Sequence, residues 1–199
     1  MTKIVDYYFS PMSPWTYLGH ARFEQIANKA GADIHVKPVD FGRIFSVSGG
    51  LPLAKRAPQR QAYRLLELQR WRDHLRVPLN LHPKFFPVDT TPAALLIITT
   101  TAKEGQATAF KLTGALLGAV WSEERNLADV ETLKTIVKEQ GLPEDLISRA
   151  QAPAAKADYE SLTQEATDRR VFGAPTYVYK DELFWGQDRL DFLERALAR

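Results

Sequence analysis

A serine followed by a proline, Ser13-Pro14, is the first place where residue type and spacing indicate chemistry. The segment FSPMSPWTYLGHARFEQI, residues 9–26, passes from an apolar run through a short turn into an amphipathic helix pattern. Ser is a good N-cap and Pro suits the first helical position, so a helix cap is the simplest interpretation. A helix N-terminus also stabilises an anion, so Ser13 is alternatively a working residue at the start of this helix. The segment alone leaves both interpretations open.

The composition excludes several classes of site and protein. The 199 residues include no cysteine, which removes disulfides, Cys nucleophiles and thiolate metal ligands. The four histidines lack metal-ligand spacing, so we expect no catalytic metal. A net charge of +2 argues against a nucleic-acid-binding protein. The sequence shows neither a signal-peptide pattern nor a run of apolar residues long enough to cross a membrane, so we expect a cytoplasmic protein without a membrane partner.

The two ends of the chain carry strand patterns. Residues 3–9 predict a strand, a helix is predicted from Pro14 to Gly31, and residues 33–41 predict a second strand. Residues 174–180 and 182–186 predict a hairpin that turns at Asp181, and a closing helix follows. Strand, helix and strand in this order indicate a βαβ unit and an α/β core.

The middle of the chain has mostly helical patterns. Residues 46–58 contain two glycines and two prolines and predict a loop. Helices are predicted from about 59 to 76, over 93–105 and 107–126, over 126–140, and over 153–171. We therefore interpret the middle as a helical block inserted between two halves of one small sheet.

Two separated segments together resemble a known fold. The strand, turn and helix around Ser13, with VFGAPTYVY at 171–179, resemble the thioredoxin fold with a helical insertion like that of the DsbA oxidoreductases. The resemblance implies an α/β, thioredoxin-like domain of residues 1–46 and 171–199 and an all-helical insertion of residues 47–170. It also places the reactive position at Ser13, with a cis Ala174-Pro175 bond facing it.

Four segments in order resemble one family more closely: SPWTYLG from Ser13, residues 48–71, residues 171–179, and FWGQDRLDFL at 184–193. They are similar to the 2-hydroxychromene-2-carboxylate isomerases, which are related to kappa-class glutathione transferases. This resemblance implies a homodimeric enzyme that uses glutathione as its cofactor. It would interconvert 2-hydroxychromene-2-carboxylate and trans-o-hydroxybenzylidenepyruvate, a step of naphthalene catabolism, by reversible addition of a glutathione thiolate. A kappa-like transferase or peroxidase and a non-catalytic glutathione-binding protein remain alternatives.

The resemblance also assigns contacts with glutathione. Ser13 is implied as the catalytic residue at the thiol, while Ala174 and Pro175 are implied to meet the cysteinyl backbone like an added strand. Gln187 and Asp188 are implied to hold the γ-glutamyl end, where a carboxylate pairs with the α-ammonium group. Capping of the last helix is the alternative role for this pair.

The expected site also includes a basic stretch and one position at which this sequence differs from its relatives. Arg60 is implied to hold the glycyl carboxylate of glutathione or the carboxylate of a substrate, whereas Lys55 and Arg56 fit a solvated charged face at least as well. Gly50 is implied at a cofactor-binding position where relatives often carry Asn, so here it supplies no side chain. The segment HPKFFPVD, residues 82–89, fits either an apolar substrate pocket or packing of the insertion.

Overall fold

The computed structural model describes residues 2–199 and builds this part of the chain from four strands and nine α-helices. The first group is β1 Lys3–Phe9, α1 Pro14–Ala30, β2 Ala32–Pro38, α2 Phe41–Ser48 and α3 Pro58–Leu75. The second is α4 Thr91–Glu104, α5 Gln106–Trp121, α6 Val130–Glu139, α7 Asp145–Ala150 and α8 Pro153–Asp168. The third is β3 Thr176–Tyr179, β4 Glu182–Trp185 and α9 Leu190–Leu197, and short 3₁₀ turns cover Leu53–Lys55 and Gln187–Arg189.

One sheet joins the two ends of the chain in the order β2-β1-β3-β4. β2 runs parallel to β1, while β3 pairs antiparallel with β1 and β4 antiparallel with β3. Lys180 and Asp181 form the hairpin turn with positive φ angles of 49° and 65°, as a two-residue turn of this type requires. The predicted α/β core and the hairpin around Asp181 are both confirmed.

Alternating side chains of β1 bury both faces of the sheet. Tyr7 and Phe9 point into the larger core beside α1, where the rings of Tyr7 and Tyr177 stack at 5.4 Å. Tyr8 points to the opposite face and packs with Ile44 of α2 and Val178 of β3. Because both faces are covered, the central strand is predominantly apolar or aromatic.

A buried histidine connects α1 to the sheet and to the helical block. The Tyr7 hydroxyl donates to His20 Nδ1 at 3.3 Å, and His20 Nε2–H donates to the Phe110 carbonyl of α5 at 3.2 Å. The imidazole also stacks on the Phe110 ring at 4.0 Å. A Cβ at Gly114 would come within 3.0 Å of Nε2, so glycine permits this close approach. These contacts fix the direction of α1.

An ion-pair network connects the last helix of the block to the other face of the sheet. Lys37 of β2 lies between Asp6 at 2.9 Å and Glu165 of α8 at 2.7 Å. The Tyr8 hydroxyl also donates to Glu165 at 2.6 Å. The half-buried setting makes these contacts more effective than exposed surface pairs, which contribute little to stability.

The predicted strand over 33–41 is wrong at its end. β2 stops at Pro38, and Phe41 begins helix α2. Asp40 is the N-cap of this helix, since its carboxylate accepts from the Gly42 N–H at 2.7 Å. Gly49 ends the helix in the left-handed conformation. An Asp cap and a Gly stop around an apolar face were therefore the sequence signals for α2.

Other boundaries in the helical block also differ from the predictions. The predicted loop over 46–58 begins with the last turn of α2 and contains a 3₁₀ turn. The helix predicted over 126–140 starts only at Val130, after Asp129 caps it, and α7 was not predicted. The domain boundary after residue 46 falls within α2, so the division into a thioredoxin-like domain and an insertion stays a prediction. No helix within residues 2–199 is long and apolar enough to cross a membrane.

Burial of His20 predicts a specific dependence of stability on pH. Desolvation lowers the His20 pKa to about 4, although the hydrogen bond to Phe110 opposes this shift. The unfolded chain therefore takes up the proton first as the pH falls below about 6.5, and the His20 contribution to stability is lost as the pH approaches the folded-state pKa. Between pH 7 and pH 5 we expect His20 to account for a loss of about 2 kcal/mol in the free energy of unfolding.

Urea unfolding of the wild-type chain and of His20→Gln at both pH values measures this effect. We expect the variant to have a lower free energy of unfolding at pH 7 than the wild type, and a smaller change in that free energy between pH 7 and pH 5. Equal pH dependence in the two proteins would show that His20 is not held neutral in the folded chain.

Candidate functional site

A cleft of about 610 Å³ lies where the turn before α1, the loop after α2, the first half of α3 and the segment before β3 meet. This volume is within the range of small-molecule sites. Its lining includes Ser13, Trp15, Phe41, Phe45, Gly50, Arg56, Arg60, Arg64, Phe86, Phe172, Gly173, Ala174 and Trp185. The cleft therefore brings Ser13, Gly50, Arg60 and Ala174, which were predicted from separate segments, to one place.

Ser13 is the N-cap of α1, as the simplest interpretation predicted. Its Oγ accepts from the Thr16 N–H at 3.2 Å, and only 9% of the residue is exposed. The Ser13 N–H donates to the Ser10 carbonyl at 3.0 Å, which fixes the turn. The cap uses Oγ only as an acceptor, and the hydroxyl hydrogen has no acceptor among residues 2–199. Capping and donation to a ligand in the cleft are therefore compatible.

The first turn of α1 also leaves one backbone donor open. Pro14 has no N–H, and the N–H groups of Thr16 and Tyr17 bond to the side chain and carbonyl of Ser13. Within the described chain the Trp15 N–H has no partner, as expected for the second helical position. An anion at this helix start would meet the Ser13 hydroxyl, the Trp15 N–H and the positive end of the helix dipole.

A backbone edge lies in the same cleft. The Ala174-Pro175 bond is cis, as the resemblance implied, and Ala174 lines the cleft. Neither the N–H nor the carbonyl of Ala174 makes a hydrogen bond within residues 2–199. The Pro175 carbonyl accepts from the Gly186 N–H at 2.9 Å, so Pro175 holds the segment against the hairpin. An extended peptide can pair with the open groups of Ala174 in the manner of an added strand.

Trp185 forms an aromatic wall beside this edge. Its indole lies directly against Gly173, where a Cβ would come within 2.7 Å of the indole Cε2 atom. The ring packs edge-to-face with Phe172 at 4.8 Å, and 51% of Trp185 remains exposed. Glycine at position 173 therefore allows Trp185 to stand over the cleft.

One face of α3 and the end of the 3₁₀ turn before it supply positive charge. Arg56, Arg60 and Arg64 follow one another at intervals of four residues and all line the cleft. None of them forms an ion pair within residues 2–199, where the arginine pairs involve other positions. Burial and then the charge of Arg60 lower the pKa of Arg56. The cleft thus has a basic side without a counter-charge.

Arg64 was not predicted as a site residue. Its only signal in the sequence is its position four residues after Arg60. The guanidinium group lies over the rings of Phe86 at 5.3 Å and Trp121 at 5.8 Å. Burial, followed by the charge of Arg56, lowers the Arg64 pKa to about 10. It therefore remains a cation at neutral pH.

Gly50 lines the cleft without a side chain. The ring of Phe45 occupies the space that a Cβ at position 50 would need. From the segment 82–89, Phe86 lines the cleft, whereas Phe85 packs with Lys84 at 5.2 Å. Phe86 also packs against Trp121 of α5 at 4.9 Å, so the segment forms a cleft wall and packs against the helical block.

The remaining predicted residues lie outside the lining of the cleft. Gln187 is only 2% exposed and packs against Gly19 of α1, and its Oε1 has no hydrogen-bond partner among residues 2–199. The Asp188 carboxylate pairs with Arg189 at 2.8 Å near the surface. Lys55 does not line the cleft either. The assignment of Gln187 and Asp188 to glutathione stays a prediction.

Comparison with known proteins agrees with the sequence resemblance. Residues 4–198 match the family described as a DSBA-like thioredoxin domain. A 2-hydroxychromene-2-carboxylate isomerase of Pseudomonas putida is 32% identical over 98% of this chain and 95% of its own. One from Sphingobium xenophagum is 30% identical over 99% of both chains.

A solved structure supports the same relationship. A solved structure of 2-hydroxychromene-2-carboxylate isomerase superimposes with a TM-score of 0.84 at 28% identity, covering 98% of this chain and 95% of that one. The predicted DsbA-like thioredoxin fold is thereby confirmed. The chain belongs to the DsbA-like thioredoxin-domain family and to the enzyme family of the 2-hydroxychromene-2-carboxylate isomerases.

Proposed function

We propose that the chain is a glutathione-dependent isomerase that interconverts 2-hydroxychromene-2-carboxylate and trans-o-hydroxybenzylidenepyruvate, a step of aromatic hydrocarbon catabolism. The observation that carries the proposal is the combination of open donors in one cleft. The Ser13 hydroxyl, the Trp15 N–H and the open backbone of Ala174 all lie there, beside arginines without counter-charges. This arrangement fits a small thiol peptide with carboxylates.

The fit to glutathione follows from its chemical groups. A thiolate fits the start of α1, where the helix dipole and the Ser13 hydroxyl favour negative charge. The cysteinyl backbone has one N–H and one carbonyl to pair with Ala174, and the glycyl carboxylate fits Arg60. The chain has no cysteine, so the thiol must come from the ligand.

Each part of the cleft then has a role in the isomerisation. Glutathione, when bound, supplies a thiolate that adds reversibly to the unsaturated carbon of the ring-opened substrate and turns a double bond into one that rotates readily. Ser13 and Trp15 would stabilise the negative charge on the sulfur atom before the addition and again after the elimination that follows the rotation. The aromatic walls of Trp15, Phe86 and Trp185 favour a planar aromatic substrate.

Removal of the Ser13 hydroxyl tests the catalytic assignment. Ser13→Ala is expected to lower glutathione-dependent isomerisation by about 100-fold, in line with the loss of one donor to a developing anion. It is also expected to lower the free energy of unfolding by about 1 kcal/mol because the N-cap is lost. Steady-state isomerase assays and urea unfolding measure the two effects.

Two further variants separate the cap from the catalytic role. Ser13→Asp keeps an N-cap acceptor but removes the neutral donor and adds negative charge, so stability is retained while turnover falls. Ser148→Ala removes an exposed serine hydroxyl that bonds to Asp145, and its turnover is expected to match that of the wild type. Full turnover in Ser13→Ala would refute the assignment, and conjugation of a chlorinated dinitrobenzene without isomerisation would favour a transferase.

Substitution of Asp188 tests the contact proposed for the γ-glutamyl end. If Asp188 pairs with the α-ammonium group, Asp188→Asn weakens glutathione binding about tenfold. Binding of cysteinylglycine, which lacks the γ-glutamyl residue, is then unaffected by the same change. Calorimetric titration of both thiols measures this difference.

Asp181→Asn is the matched control, because Asp181 is almost fully exposed in the hairpin turn. Equal weakening of both thiols by Asp188→Asn, or of neither, would remove Asp188 from the glutathione site.

A further inference from the structure

Arg64 lies deeper in the cleft than the other two arginines. Arg60 is exposed, whereas Arg64 is half-buried and its guanidinium group rests on Phe86 and Trp121. The two rings are themselves in contact, with centroids 4.9 Å apart. A guanidinium group stacked on aromatic faces keeps its N–H edges available for a planar carboxylate.

Trp121 connects this position to the turn that carries Ser13. Its indole N–H donates to the Met12 carbonyl at 3.3 Å, one residue before Ser13. Trp121 is fully buried, so the ring is a fixed support for both Arg64 and the turn. A group held by Arg64 therefore lies toward the Ser13 side of the cleft.

The three arginines form an unbalanced cluster of like charge. The Arg60 charge lowers the pKa of Arg56, and the Arg56 charge lowers that of Arg64, after the larger effect of burial in each case. No carboxylate within residues 2–199 pairs with any of them. Anions from ligands would relieve this repulsion.

One glycyl carboxylate does not account for the whole cluster. The Nε of Arg56 already donates to the Leu51 carbonyl at 2.8 Å, which leaves Arg56 beside Arg60 near the loop after α2. These two suffice for the carboxylate of glutathione, and Arg64 then has no assigned anion.

We propose that Arg64 is a specificity-determining residue that binds the carboxylate of the second substrate, with the rest of that substrate lying against Phe86. The inference deepens the proposed function and rests on it for the position of glutathione. It selects planar carboxylates that have an aromatic or conjugated body, and it disfavours neutral molecules of the same shape. A carboxylate binds more tightly than a neutral ligand of the same shape because it forms charge-assisted hydrogen bonds with the half-buried guanidinium group.

Binding of two matched probes tests the proposal without turnover. Chromone-2-carboxylate has the same bicyclic ring skeleton as the chromene substrate, with a flat pyrone ring, and carries the charge. Chromone-2-carboxamide has the shape of this probe without the charge. Isothermal titration of both probes, with and without glutathione, gives their dissociation constants, and the ratio of the two is the preference for the charged probe. We expect the wild-type chain to prefer the carboxylate by about tenfold, as one charge-assisted bidentate contact provides.

Substitutions on α3 assign this preference to one residue. Arg64→Met keeps the long stem on Phe86 but removes the charge, and we expect it to bind the two probes equally while its affinity for glutathione stays within about twofold. Arg64→Lys keeps the charge and is expected to restore part of the preference. Arg70→Gln removes an arginine of the same helix that pairs with Glu67 outside the cleft, and it is expected to behave like the wild type.

The outcomes separate the two proposals. An undiminished preference for the carboxylate in Arg64→Met overturns the assignment of Arg64, and so does a loss of glutathione affinity equal to the loss for the carboxylate. A third result is that the wild-type chain binds no glutathione but prefers the carboxylate probe, and that Arg64→Met lacks this preference. The proposed cofactor is then wrong, while the assignment of Arg64 to the substrate carboxylate stands.

Discussion

The position of the start of α1 is the constraint on which the rest of the site depends. The turn at Ser13 is held locally by the bond from its N–H to Ser10 and from the helical block by the bond from Trp121 to Met12. Farther along α1, His20 connects the helix to β1 and α5. Contacts from the sheet and from the helical block therefore both hold α1 in place. Its first turn is positioned by these contacts without a ligand.

This arrangement allows a helix-cap residue to donate a hydrogen bond to a ligand as well. The Thr16 N–H uses Ser13 Oγ as an acceptor and leaves its hydroxyl hydrogen free to donate. Pro14 has no N–H, so the first turn offers one hydroxyl and the Trp15 N–H. Ala174, whose N–H and carbonyl make no hydrogen bond among residues 2–199, lines the same cleft. The curated isomerases match nearly the whole length of this chain, and the solved isomerase structure shares its fold.

Much of the fold was predictable because its signals are local. The strand patterns at both ends, the Ser-Pro start of α1 and the Asp181 turn each follow from neighbouring residues. Helix α2 was missed because Asp40 and Gly49 bracket only a short apolar segment that also resembles a strand end. Arg64 was missed for another reason: its surroundings come from Phe86 and Trp121, which are distant in sequence. No local pattern encodes that contact.

We propose that the start of α1 stabilises the thiolate of bound glutathione. The direct measurement is an ultraviolet titration of the thiol in the complex of glutathione with the wild-type chain, compared with glutathione in solution. Helix starts lower the pKa of thiols from about 8.5, and a value of about 7.5 or lower is expected in the complex. A bound thiol that titrates like free glutathione would contradict the account.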